Sequence, residues 1–163
     1  MKILSRALLD ELARQAAQSA RGRAHHNIHA SAADPVQRFL VVADPRSYFR
    51  PHRHRTRCEL ALVLRGGFDV ITFEADGTVS GRHACRADGP ELGFEVPHDT
   101  WHTLLARVEG SAFLEVKEGP YDPATASEFA PWAPPEGSAE CASYLGRLAS
   151  AAPGERLIGS LTD

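Results

Sequence analysis

Cysteine is scarce in this chain of 163 residues: there are three, at positions 58, 85 and 141. An odd, widely spaced set offers neither a disulfide framework nor a CxxC pair, so the thiols are expected to be reduced and packed as small hydrophobes. No apolar run approaches the ~20 residues that cross a bilayer. The opening stretch MKILSRALLDELARQ carries Asp10, Glu11 and Arg14 where a signal peptide needs unbroken apolar sequence, so a cytoplasmic location is expected. A dominant charge is lacking as well. With 18 Lys and Arg against 21 Asp and Glu, the net charge of −3 gives no general attraction to nucleic acid or an anionic membrane. Internal repeats and low-complexity tracts are also missing.

What is present suits one soluble domain with one core. Residues 4–20 read as an amphipathic helix: Leu4, Leu8, Leu12 and Ala16 recur at four-residue spacing, widened by Leu9 and Ala13. From about residue 36 to 118 the texture changes to strand-length runs such as VQRFLVV, ELALVL, FDVITF and SAFLEVK, separated by DPRS, RGG, ADG and VEGS. No helical period intervenes, which disfavours alternating βα architecture and indicates a sandwich, jelly roll or barrel. The proline-rich EGPYDPATASEFAPWAPPEGS then reads as a surface segment anchored by Tyr121, Phe129 and Trp132. SAECASYLGRL follows as a short helix with Ser138 as its cap.

The chemistry concentrates in YFRPHRHRTRCELALVLRGG, residues 48–67. His52 and His54 occupy alternate positions of a strand-like segment, so both side chains face one side, with Cα atoms roughly 6.6 Å apart. Two such imidazoles can converge on one metal ion. Glu59 opens the next apolar strand and can add an oxygen ligand, or else orient a histidine through its ring N–H. A distant fourth ligand, His102, enters another strand in VPHDTWHTLL. Three imidazoles and a carboxylate suit iron, manganese, nickel, cobalt or zinc, and fit magnesium or calcium poorly. Four protein ligands in an octahedral site leave two positions open.

These residues resemble the cupin superfamily. His52, His54, Glu59 and Gly66 fall on its first motif, while Pro97 and His102 fall on its second. Asp99 stands where the second motif has glycine, and Ala106 where it often has asparagine. RAHHNIHASAADPVQRFLV, EVKEGPYDPAT and FAPWAPPEGS further resemble the WbuC family of cupin-fold metalloproteins. The resemblance implies an all-β fold: a single cupin jelly-roll barrel with an N-terminal helix and a short C-terminal helical extension. The expected division is helix and loop over 1–30, barrel over 31–118, extension over 119–150 and a flexible tail over 151–163, in one domain. It also implies a bound metal and gene neighbourhoods concerned with surface polysaccharide, and it leaves the reaction open.

Other residues carry weaker expectations. Glu115 and Lys117 share one strand face and become acid/base candidates if that face looks inward. Tyr48 and Arg50 lie on the His52 side by alternation: Tyr48 as a catalytic or pocket-wall residue, Arg50 as a binder of an anionic ligand. Asn27 and His29 of AHHNIH are expected to line the pocket within a loop, and His83 and His98 to lie at the surface. The expected function is a metal-dependent enzyme acting on a small anionic or sugar-like molecule. Isomerase, epimerase or lyase chemistry, or an iron-dependent oxygenation, would suit the ligand set; the alternative is a module that binds metal and ligand without turnover. A homodimer is expected, because strand faces of small barrels need covering.

Overall fold

A computed structural model describes residues 1–159. Helix α1 spans Arg6–Gln18, shorter than the expected 4–20, because the Ser5 hydroxyl caps its start by accepting from the Leu8 amide. Its buried face is Leu9, Leu12 and Ala16, while Leu4 stays exposed ahead of the cap. At the other end Arg46 donates to the carbonyls of Ala16 and Ala17, and the Ser19 amide also donates to Ala16 O.

Among the described residues ten strands follow: β1 (Arg23–Asn27), β2 (Val36–Ala43), β3 (His52–Arg53), β4 (Glu59–Arg65), β5 (Gly67–Phe73), β6 (Val79–Arg86), β7 (Gly93–Val96), β8 (Trp101–Ala106), β9 (Ser111–Glu118) and β10 (Glu128–Phe129). Helix α2 (Cys141–Ser150) closes the series. The strands form two antiparallel five-stranded sheets, ordered β1-β2-β9-β4-β7 and β10-β3-β8-β5-β6. Their inner faces meet over Val41, Ala61, Val63, Phe68, Val70, Leu104 and Phe113. Helix α1 covers the outside of the first sheet over Leu40, Val42 and Ala112. Helix α2 and the C-terminal segment cover the second, over Ile71, Phe73, Trp101 and Leu105.

This layering explains the strand sequences. Strand β8, WHTLLA, is buried at every position because both of its faces are covered, so it reads as a run without alternation. Strand β4, ELALVLR, alternates: Glu59, Ala61 and Val63 point in, while Leu60, Leu62 and Leu64 point out and remain over 40% exposed. Gly66, at φ +59, turns β4 into β5, and a Cβ there would sit 2.6 Å from the Ser111 hydroxyl. Only glycine fits that corner.

Three expectations need correction. Residues 23–27, expected as loop, form an edge strand paired with β2, because the polar RAHHN run needs only one covered face. Ser138 does not cap α2; Glu140 holds the cap position without a side-chain hydrogen bond. Residues 151–159 are no flexible tail: Leu157 is buried, Arg156 bridges to Thr78 and the Gly159 amide donates to Trp132 O. Within the expected tail, 160–163 lie outside the described residues.

Candidate metal centre

The β3–β8 pairing sets His52 directly opposite His102. His54 follows one residue beyond β3, where its carbonyl accepts from the Asp99 amide and so ties it to the turn before β8. Asp99 has φ +61, the left-handed conformation that the motif's glycine would take. Aspartate tolerates that region better than most residues, so the turn keeps its course despite the substitution. Glu59 reaches the same point from the opposite sheet, as the first residue of β4. One ligand atom from each of His52, His54, Glu59 and His102 lies within 4.8 Å of every other. His54, Glu59 and His102 are buried, and His52 is half-buried.

The hydrogen bonds decide which ring nitrogen is free. Nδ1 of His52 lies 2.9 Å from Arg50 O, Nδ1 of His54 lies 2.6 Å from Ala126 O, and Nδ1 of His102 lies 2.9 Å from Thr100 O. A carbonyl only accepts, so each Nδ1 carries a proton and each Nε2 is turned inward. His102 Nε2 is buried with no partner. His54 Nε2 lies 2.9 Å from Glu59 Oε2, a contact that needs an electropositive centre or a proton between the two. Burial, reinforced by His102, pushes the His52 pKa down to about 3, and burial lowers that of His102 as well. Both rings are therefore neutral donors at pH 7. Burial alone would raise the Glu59 pKa, but the His54 hydrogen bond and the Lys117 charge outweigh it and keep the carboxylate ionised. The donor set fits a borderline divalent ion.

Beside this cluster a cavity of about 370 Å³ opens between the first sheet and residues 121–129. Phe39, Phe49, Tyr121 and Phe129 supply its apolar lining, and Arg23 and His25 its basic lining. Glu115 and Lys117 join the cavity to the ligands, with Lys117 Nζ 3.6 Å from Glu59 Oε2 and against Glu115 Oε1. That Glu115 oxygen receives no well-directed hydrogen bond, so the contact with Lys117 is mainly electrostatic. Burial and the neighbouring Glu59 charge raise the Glu115 pKa to about 7, against the pull of Lys117. The Lys117 pKa would fall through burial, but the two carboxylates raise it.

The inward face of β9 thus carries Glu115 and Lys117, the point that alternation alone left open. The structure takes Tyr48 elsewhere: its hydroxyl donates to Pro134 O at 3.0 Å and its ring meets Tyr144 edge-on in the core beneath α2. Residues 48–51 precede β3 and are not strand, so the alternation that placed Tyr48 beside His52 does not hold there. Arg50 donates to Ala130 O and stacks on Phe129, one residue away from the cavity lining. Asn27 is exposed at the end of β1. His29 is buried and accepts from the Arg38 amide through Nδ1, extending the β1–β2 ladder by one bond; its ring packs edge-on against Phe39. His25, rather than Asn27 or His29, lines the cavity. Among the residues that sequence reasoning passed over, Phe39 carried a signal: it alternates with Val41 on the inward face of β2. Tyr121 and Phe129, expected as anchors, are 45% and 52% exposed and line the cavity instead; nothing in 121–129 signalled that, since its position depends on a β10–β3 pairing only two residues long.

One known family matches residues 4–85, a span that includes His52, His54 and Glu59 and stops short of His102; it is described as a domain of unknown function, DUF6016. The chain belongs to this family. No protein of curated function matches this DUF6016 chain. Among solved structures, an oxalate oxidase in complex with the substrate analogue glycolate has 17% identity and a TM-score of 0.51, over 69% of this chain and 57% of its own. The capsular polysaccharide assembling protein CapF from Staphylococcus aureus has 16% identity and a TM-score of 0.51, over 68% of this chain and 32% of its own. KdgF from Halomonas sp. has 19% identity and a TM-score of 0.49, over 61% of this chain and 82% of its own. The DUF6016 chain therefore spans little more than half of the oxalate oxidase and a third of CapF. At such identities the likeness concerns the fold, and the fold is the cupin jelly roll.

Proposed function

We propose that this protein is a metal-dependent enzyme that holds one divalent transition metal through His52, His54, Glu59 and His102 and acts on a small anionic or sugar-like molecule. The observation that carries the reading is the common orientation of three imidazoles. Each is pinned by Nδ1 to a backbone carbonyl, which turns its Nε2 inward beside a buried carboxylate, with His54 Nε2 in contact with Glu59 itself. A metal bound there would supply Lewis acidity toward a ligand oxygen.

The chain's own groups would do the rest. Lys117 offers a cation between the ligand cluster and the cavity, suited to an anionic or hydroxyl-bearing molecule. Glu115, with its pKa raised to about 7, can hold or release a proton near neutral pH. Phe39, Phe49 and Phe129 give the cavity an apolar wall. An isomerase, epimerase or lyase would use such a pair. Placement in surface polysaccharide metabolism rests on the WbuC-like segments, and CapF, which shares the fold, is itself a capsular polysaccharide assembling protein.

Elemental analysis of protein purified without chelator tests the metal. About one ion per chain is expected in the parent and none in the His52→Ala/His54→Ala variant; equal, near-zero content in both would defeat the proposal. Turnover of sugar-like and anionic compounds by the metal-loaded protein should then be lost in Glu115→Gln and Lys117→Met with metal content unchanged. Ligand binding without turnover in the parent would make the protein a binding module.

A further inference from the structure

The three histidines differ in where their Nδ1 acceptors come from. His52 and His102 each donate to the carbonyl two residues back, a local arrangement that travels with its own strand. His54 donates to Ala126 O, 72 residues away in sequence. Its ring orientation therefore depends on the segment 119–129, which also walls the cavity through Tyr121, Pro123, Ala126, Ser127 and Phe129.

Beyond Ala126 the segment is tied by backbone through the two-residue β10–β3 pairing and the Ala130 amide on Pro51 O, and before it Arg57 donates to Pro120 O. At its start the amides of Gly119 and Tyr121 donate to Pro35 O and Ala32 O. Residues 121–125 are exposed, with Asp122 bonding only within its own turn, to Ala124 and Thr125. Two residues beyond Ala126, the Glu128 carboxylate takes the guanidinium of Arg53 at 2.8 and 3.2 Å, and that of Arg55 as well. Arg53 is a firm anchor: its side chain is 15% exposed and its guanidinium lies 4.3 Å above the Trp101 ring. Both arginines also pair with Asp99, which lies outside the segment.

We infer that Glu128 is a positioning residue for the metal centre: by clasping the 119–129 strap to Arg53 and Arg55, it holds the Ala126 carbonyl where it orients His54. The inference rests on the four-ligand reading above. It adds that strap closure and metal occupancy are linked. An imidazole bound through Nε2 is a stronger Nδ1–H donor, so a bound cation tightens the His54–Ala126 bond, and a well-placed Ala126 carbonyl strengthens the ligand in return. The wall of the cavity is then completed as the metal is bound.

The test uses the full chain and Co²⁺ alone as probe, with affinity from equilibrium titration and hydrogen exchange followed in residues 119–129. Co²⁺ should slow exchange in the strap of the parent. Glu128→Ala should lower Co²⁺ affinity by about tenfold, as loss of outer hydrogen-bond partners does, and remove that slowing. Glu128→Gln, which keeps one acceptor for the arginines, should recover part of both effects. Asp99→Asn removes a carboxylate from the same two arginines without touching the strap, and Asn accepts the left-handed backbone at that position; it should bind Co²⁺ and protect the strap as the parent does. Exchange in β5 and β8 reports folding, and if Glu128→Ala fails to fold, Glu128→Gln carries the comparison. Unchanged Co²⁺ affinity in the folded variant, an equal loss in Asp99→Asn, or a strap indifferent to Co²⁺ would overturn the positioning role while leaving the metal centre intact. A parent that binds no Co²⁺ would overturn both.

Discussion

Glu115 holds its carboxyl well above the ordinary range, because β9 carries it into the barrel beside Glu59 and Lys117. Its carboxyl is pushed up to about 7 by burial first and by the Glu59 charge second. A carboxyl with a raised folded pKa favours the folded state while protonated. Its contribution is complete below the unfolded value near 4.5 and is lost as pH rises through about 7. Glu115→Gln mimics the protonated acid at every pH. In metal-free protein, thermal unfolding between pH 5 and 8 should therefore show the parent losing stability relative to Glu115→Gln as pH rises; a constant difference would contradict the raised value. His29 teaches a different lesson at this scale. Its position in AHHNIH suggested a pocket, yet Nδ1 serves the backbone of Arg38. A histidine's partner is set by what lies across the sheet, and sequence spacing does not contain it.

Among the elements, β5 and β6 carry a buried knot that no motif announces. Asp69, 4% exposed, accepts from Arg82 and Arg86, and Arg107 lies 3.5 Å from it. Arg82 also donates to the carbonyls of Leu148, Ala149 and Ala151 at the end of α2, so one carboxylate holds the guanidinium that docks the helix. Removing it would leave half-buried cations without a counter-charge. Asp69→Ala should cost about 3 kcal/mol, the low end for a broken buried pair because the arginines keep some water. Chemical denaturation measures this, and loss of α2 protection in hydrogen exchange should accompany it. The strand content of this sheet was readable because FDVITF and HTLLARV are strand-length and rich in β-formers. The two-residue strands β3 and β10 were not, since pairs so short have no periodicity to display.

At the scale of the whole molecule, the outer face of the first sheet is covered over only part of its width. Helix α1 packs on β1 and β2, and the outward row Leu60, Leu62 and Leu64 of β4 stays 41–45% exposed. We propose that a second copy covers this row, in line with the homodimer expected from the sequence. Leu62→Lys should convert a dimer to a monomer in sedimentation velocity, with the metal centre on the opposite face of β4 unaffected; a parent that sediments as a monomer at every concentration ends the proposal.

The sequence by itself determined the fold class and the identity of the four candidate ligands. Alternation of side chains along strands, glycine at a left-handed corner and the spacing of two motifs are local properties that a chain carries in its own order. Tertiary structure alone decided which way Glu115 and Lys117 face, that Tyr48 belongs to the core under α2, and that the carbonyl of residue 126 meets the ring of the candidate ligand at residue 54. Those outcomes depend on which surfaces are covered by distant segments, and coverage is a property of the packed whole.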